Sequence, residues 1–293
     1  MKIRFTLADG LIWAALTLAA FSCLFPMINT LAISFSDKTN AALGNVILWP
    51  MNFNIASYLG LVEDEMFYRS FINSVVRVIL GGIINVTLCV VMAYPLSKDK
   101  SVFRARNYFV WVVIFTMLFY GGLVPEFILI KNLKLIDTIW ALVLPGAVPV
   151  FSLIILMNFY KGIPKALEEA ALADGASPFY ILLKIYIPLS SPSIATITLF
   201  SVVRHWNAFF DGKIYINTPL KMPLQTYIQT LTAALSPAQM ASMSPEEILQ
   251  ILQRSNLTFN SAKVIMSMIP ILLIYPFLQR YFVKGIVMGA VKE

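Results

Sequence analysis

The chain has 293 residues, 59% of them hydrophobic and only 13% charged, and its mean hydropathy is +0.78. A soluble domain carries about a quarter of its residues as Asp, Glu, Lys and Arg, so this composition excludes a water-soluble globular protein and points to a polytopic membrane protein. The net charge of +7 is spread over short connections and is not gathered on one polar face, which argues against a nucleic-acid partner.

Six apolar segments are each long enough to cross a bilayer, which takes about 20 helical residues: Leu11–Phe35, Phe71–Tyr94, Tyr108–Val124, Trp140–Tyr160, Ser191–Phe210 and Ala262–Val283. The expected fold is all-α, with six transmembrane helices in a single domain, residues 1–293. The first segment is too long for the apolar region of a cleaved signal peptide and lacks a small-residue cleavage site, so it reads as a retained helix. The connection after it, Ser36–Ser70, is polar and aromatic and carries Glu63, Asp64 and Glu65. The second segment contains Arg77 and Asn85. The short loop that follows holds Lys98, Lys100, Arg104 and Arg106, and by the bias of cations toward cytoplasmic loops it faces the cytoplasm. Both termini and residues 161–190 then face the cytoplasm too, and residues 36–70 and 211–261 face outward. The last of these connections is too long to be idle. Within it, Ser244-Pro245-Glu246-Glu247 followed by Ile248, Leu249, Ile251 and Leu252 predicts a helix with an apolar face, either docking an outside partner or lying on the bilayer surface.

Catalytic and cofactor chemistry finds little footing. Cys23 and Cys89 sit in apolar runs and read as packing residues. His205 is the sole histidine, too few for a multi-histidine metal site. No Gly-x-x-x-x-Gly-Lys-Ser/Thr occurs, so the chain does not cradle nucleotide phosphates by that loop.

The most informative stretch runs from Pro164 to Pro188, PKALEEAALADGASPFYILLKIYIP. Pro164 suits a first helical residue, and the helix formers after it continue to Gly175, which ends a helix by taking the left-handed conformation. Ser177 and Pro178 form a new N-cap and first turn, and a second short helix reaches about Ile187, with Pro188 and Pro192 closing the unit. That second helix is apolar on nearly every side and too short to cross the bilayer, so it must bury itself against the inner ends of the spans. The first helix carries Glu168 and Glu169, followed by Asp174, and is free to face a partner.

This stretch resembles the cytoplasmic loop of permease subunits of binding-protein-dependent ABC importers. Glu169, Ala170, Ala171, Asp174, Gly175, Ala176, Ile185 and Pro188 carry the likeness. Leu182 stands where the family usually has Phe, and Ile187 where it has Leu; both keep apolar bulk. Asn73-Ser74 with Ala93-Tyr94-Pro95-Leu96, and the run from Gln279 to Lys292, resemble the carbohydrate branch of that family. His205-Trp206-Asn207 adds a likeness to permeases for acidic oligosaccharides, such as the alginate and aldouronate importers. The resemblance implies a type I importer transmembrane fold in the bacterial inner membrane. It implies that Glu168, Glu169, Ala170, Ala171, Asp174, Gly175, Ala176 and Pro188 couple to an ATPase, the acid at Glu169 pairing with a basic residue there. It implies a second, related permease, two ATPase subunits, an extracytoplasmic solute-binding protein and an oligosaccharide cargo. ATP and Mg would be bound by the ATPase subunits and no cofactor by this chain, whose tail, Lys284–Glu293, would reach between those subunits.

The substrate path is expected where ionisable groups lie within spans. Arg77 and Arg204 both fall in the outer half. His205 and Asn207 adjoin Arg204, and Trp206 is suited to stack on a sugar ring. The competing reading has both arginines snorkel to the outer headgroups. Asn85 and Asn158 read as interhelical hydrogen-bonding residues. A secondary transporter is the alternative for the whole chain, but among acids only Glu126 touches a span, at its outer boundary, which disfavours ion coupling. A membrane enzyme lacks the residues it would need.

Overall fold

The computed structural model describes residues 7–232 and the helix Leu257–Ala290. Among the described residues every regular element is helical. In chain order these are α1 (Leu7–Ser34), α2 (Lys38–Ala42), α3 (Ala56–Glu63), α4 (Glu65–Ser97), α5 (Arg106–Leu118), α6 (Leu123–Asn132), α7 (Trp140–Val143) and α8 (Val150–Lys161). Then come α9 (Lys165–Ala173), α10 (Pro178–Ile181), a π-helical turn (Leu182–Tyr186), α11 (Ile187–Leu189), α12 (Ser191–Asn207), α13 (Phe210–Tyr215), α14 (Leu224–Thr232) and α15 (Leu257–Ala290). The expected all-α membrane architecture is present. Among the described residues three helices are long and apolar enough to span a bilayer, and up to six spans result if three sharply bent helix pairs count as one each. The helix expected at 244–252 lies outside the described residues. The tail from Lys284 continues α15 to Ala290.

Two of the expected spans are broken, and the residues responsible are local. The third, Tyr108–Val124, ends at Leu118; Gly121 and Gly122 follow, Gly122 with φ +97°, and α6 leaves at 112° to α5. The fourth, Trp140–Tyr160, breaks between Leu144 and Pro149. Pro145 and Pro149 lack the amide hydrogens that a continuous helix uses, and Gly146 sits at φ +80°. The remaining piece, α8, has 12 residues, or about 18 Å at the usual rise per residue. Pro188 does not close the helix pair that begins at Pro164: the helix runs through it to Leu189, and an 82° bend to α12 follows at Ser190.

The chain divides into two compact units, one comprising residues 1–68 with 227–269 and the other 69–226 with 270–293. In the first, Phe35 stacks on Phe53 and Tyr58 at 5.3 and 4.7 Å. A buried charge cluster ties α15 to the residue before α4: Lys263 Nζ lies 2.6 Å from Asp64 Oδ2 and 2.7 Å from the hydroxyl of Tyr227. In the second unit the core gathers Cys89 and Ala93 of α4, Leu153, Leu156 and Tyr160 of α8, Ile181 of α10, Tyr186 of the π-helical turn, and Ile197 of α12. Cys23 and Cys89 are both free thiols, the first exposed and the second buried.

Candidate functional site: a short helix pair and a polar network beside a broken span

The turn after α9 is a Schellman motif. Ala176 N–H donates to Ala171 O at 2.9 Å, Gly175 N–H to Leu172 O at 3.0 Å, and Gly175 holds φ +78°. This arrangement consumes two of the carbonyls that a helix end leaves unpaired. Ser177 then caps α10 by accepting from Tyr180 N–H at 3.3 Å. Pro164 is the N-cap of α9, one place before its first helical residue.

The two acids of α9 point in different directions. Glu169, Ala170, Asp174, Gly175 and Pro188 are exposed, while Ala171 and Ala176 are half-buried against the core. A cup of about 540 Å³ opens beside Asp174, lined by Ala171, Gly175, Ala176, Ser177 and Tyr180. Glu168 turns inward. Both its carboxylate oxygens lie 2.6 Å from Lys98 Nζ, and the hydroxyls of Tyr186 and Tyr94 donate to it at 2.7 and 3.4 Å. Lys98 Nζ sits 3.9 Å from the ring centre of Tyr94 and 4.3 Å from that of Tyr186. Burial works to raise the Glu168 carboxyl and is outweighed by Lys98 and the tyrosine hydroxyls, which hold it below the ordinary carboxylate value. The expectation that Glu168 shares the partner-facing surface is therefore corrected: its oxygens are engaged within the chain. The second helix buries less than its composition suggested. Ile181, Leu182 and Tyr186 are buried, but Phe179, Tyr180, Leu183 and Leu189 stay exposed.

The residues expected along the substrate path divide in the same way. Arg77 is buried and ion-paired with Asp211, donates to Ala208 O at 3.3 Å, and reaches Leu142 O at 3.5 Å. Arg204 is exposed on one flank and donates from Nη2 to Gly146 O at 2.9 Å. Both reach carbonyls that the broken fourth span leaves open, and Arg77 is buried in doing so. His205 and Trp206 are buried. His205 Nε2 meets Asn85 Oδ1 at 2.8 Å, and Trp206 stands edge-on to Phe71 at 5.7 Å, so its expected stacking on a sugar is not available here. Asn207 is exposed. Asn85 takes the interhelical role expected of it: Nδ2 donates to Gly146 O and Ala147 O, and Oδ1 also accepts from Ser201. Asn158 is exposed.

Beside this network lies a cavity of about 460 Å³ whose lining includes Arg204, Asn85, Ser152, Ser201, Phe151 and Phe200. The two rings are 6.2 Å apart and both are exposed. The cavity thus brings a cation and small polar groups together with two open rings.

Sequence reasoning missed Asp211, the partner of Arg77, and Asp137. The carboxylate of Asp137 accepts from Asn217 N–H, Thr218 N–H and Oγ1, and Lys221 Nζ. The one available signal for Asp211 was its place just beyond a span, in a chain with an arginine inside another span.

Residues 100–288 match the family described as binding-protein-dependent transport system inner membrane component. The chain is 37% identical over 297 residues to the polygalacturonan/rhamnogalacturonan transport system permease protein YtcP of Bacillus subtilis (strain 168), covering all of both chains. It is 36% identical over 275 residues to Protein LplC of the same organism, covering 92% of this chain and 89% of that one. Among solved structures it superposes with a TM-score of 0.85 and 30% identity on a chain from the crystal structure of a bacterial ABC transporter involved in import of the acidic polysaccharide alginate, covering 96% of this chain and 100% of that one. The expected family and type I importer fold are thus borne out, and the chain belongs to the binding-protein-dependent inner membrane components, as a permease subunit of the sugar ABC importer type and not an enzyme.

Proposed function

We propose that this chain forms half of the translocation pathway of an ATP-driven importer of acidic oligosaccharides in a bacterial inner membrane. Both termini and residues 161–190 lie in the cytoplasm. A second, related permease completes the pathway. Two ATPase subunits bind ATP and Mg, and an extracytoplasmic solute-binding protein delivers the sugar; this chain holds no cofactor. The observation that carries the reading is α9. It is a short, Schellman-stopped helix set off from α8 by a 73° bend, and it presents Glu169, Ala170 and Asp174 outward while Ala171 rests on the core. A soluble subunit with a basic residue is the partner that such a surface fits.

The acidic cargo draws support from the names of the relatives, which concern polygalacturonan, rhamnogalacturonan and alginate. On this chain it draws support from the cavity beside Arg204. Only one bond from the guanidinium to Gly146 O is formed there, which leaves further donors for a carboxylate, and Phe151 and Phe200 offer open rings to the sugar.

The test is uptake into proteoliposomes containing both permeases, the ATPase subunits and the binding protein. Oligogalacturonate is compared with a neutral oligosaccharide of equal length. Arg204→Ala is expected to lower uptake of the acid about tenfold or more, the cost of a lost charged hydrogen bond, and to spare the neutral sugar. Equal losses for both would assign Arg204 to the support of Gly146 alone. Glu169→Lys is expected to release the ATPase subunits on purification; a complex that stays intact with full sugar-stimulated hydrolysis would refute the docking assignment.

A further inference from the structure

We infer that Glu168 is a positioning residue that braces α9 against the inner end of α4, so that movement of the cytoplasmic unit reaches α4 through Lys98 as well as through the chain. The inference rests on the coupling role proposed above. By chain connectivity alone α9 transmits force poorly. It is joined to α8 through a 73° bend at Gly162–Pro164 and to α10 through the turn at Asp174–Ser177. Either turn would absorb a displacement of a helix of 9 residues unless something ties that helix sideways.

Among the described residues two ion pairs tie it sideways, and their burial separates them. Lys165 pairs with Asp99, but the two side chains are 72% and 59% exposed, so water and salt screen that pair. Lys98 and Glu168 are 10% and 19% exposed, with two contacts of 2.6 Å. Their geometry is fixed by a wall of tyrosines: Tyr186 stands edge-on to Tyr94 and to Tyr160 at 4.9 and 5.2 Å, and its hydroxyl bonds both members of the pair. Lys98 follows directly on α4, whose last turn is held further by Arg106 Nε donating to Leu96 O at 2.8 Å.

At its far end α4 is tied as firmly. Asn73 Nδ2 donates to Leu220 O and Met222 O, Ser74 Oγ accepts from Leu224 N–H, and Arg77 pairs with Asp211. The helix has 33 residues, with Pro95 in its last turn, and its stretch from Asn73 to Ser97 spans about 38 Å with polar anchors toward both ends. Displacement received at Glu168 thus has a stiff route to residues 211–224.

A charge swap tests this. The complex of both permeases with the ATPase subunits is purified carrying Lys98→Glu, Glu168→Lys or both, and hydrolysis stimulated by the oligogalacturonate-loaded binding protein is measured together with the ATPase subunits retained. Each single change is expected to retain the ATPase subunits and to lower stimulation about fivefold or more, the range of a typical coupling energy, and the double change to restore most of it. Glu168→Gln, which keeps a hydrogen-bonding group, is the milder variant should a reversal prevent assembly; it is expected to lower stimulation with the subunits retained. Single variants that stimulate normally would overturn the inference. So would loss of the ATPase subunits from Glu168→Lys without rescue by the double change, which would make Glu168 a docking residue. If the unsubstituted complex retains no ATPase at all, the proposed coupling role itself has failed.

Discussion

Asn85 uses every hydrogen-bonding position it has. Its amide nitrogen holds two carbonyls of the broken fourth span, and its oxygen receives Ser201 and His205. A backbone break inside a membrane is tolerated only where other groups satisfy it, and this side chain shares that role with Arg77 and Arg204. Asn85→Leu keeps the branched outline of the side chain and takes the Asn85 bond from Ala147 O, Ser201 Oγ and His205 Nε2, while Gly146 O keeps Arg204. It is expected to destabilise the chain by about 2–4 kcal/mol, read as a lower thermal midpoint in detergent. Asp137 is the corresponding residue outside the spans. Lys221 foremost, then the bonds from Thr218 and Asn217, hold its carboxyl far below the usual carboxylate range. Because the folded value lies below the unfolded value of about 3.9, the contribution is complete above that pH and is lost as pH falls through the folded value. The protection of the Asn217 and Thr218 amides, their exchange measured relative to the base-catalysed rate of a free amide at the same pH, is therefore expected to stay flat between about pH 5 and 8. Asp137→Asn, which still tolerates the left-handed φ of +64°, is expected to speed that exchange at neutral pH. Unchanged exchange would show that the carboxylate charge does not hold the loop.

At the scale of elements, what was legible in the sequence was whatever acts over a few residues. Gly175, Ser177 and Pro178 encode the stop of α9 and the start of α10 by cap chemistry alone, and the structure follows them closely. The long helices were legible as well, since α1, α4 and α15 need only continuous apolar length. The breaks at Gly121-Gly122 and at Pro145-Gly146 were not, because a hydropathy average taken over a span is blind to two residues that cannot continue a helix. The inward turn of Glu168 and the pairing of Arg77 with Asp211 were not legible either, since each joins residues 70 or more positions apart. The packing of α4 on α12 belongs to the same class. A Cβ at Gly81 would stand 2.4 Å from Nε2 of His205, and that ring is buried and bonded to Asn85, so it has no room to yield. Gly81→Ala is expected to cost about 1–3 kcal/mol by overpacking and to lower the yield of folded chain. Adding His205→Ala should return part of that loss. If the double variant is instead as unstable as the sum of the two singles, Gly81 is not there for the ring.

For the molecule as a whole, the decisive quantity is which side of the membrane α9 occupies, since an ATPase can meet it on one side only. The charge pattern favours the cytoplasm. Lys98, Lys100, Arg104 and Arg106 are concentrated in one short loop, and cations near span ends are retained on the cytoplasmic side. The structure brings that loop to α9 directly, through Lys98 to Glu168 and Lys165 to Asp99, so the two must share a side. Cysteine labelling reads this without a transport assay. With Cys23 and Cys89 replaced, Ala173→Cys places a thiol at an exposed position beside Asp174, and Lys134→Cys places one in the exposed connection after α6. In intact cells a membrane-impermeant maleimide is expected to label position 134 and to leave position 173 untouched until the membrane is opened. Labelling of position 173 from outside would place α9 beyond the reach of any cytoplasmic ATPase, and the coupling role, the brace at Glu168 and the import direction would all fall together.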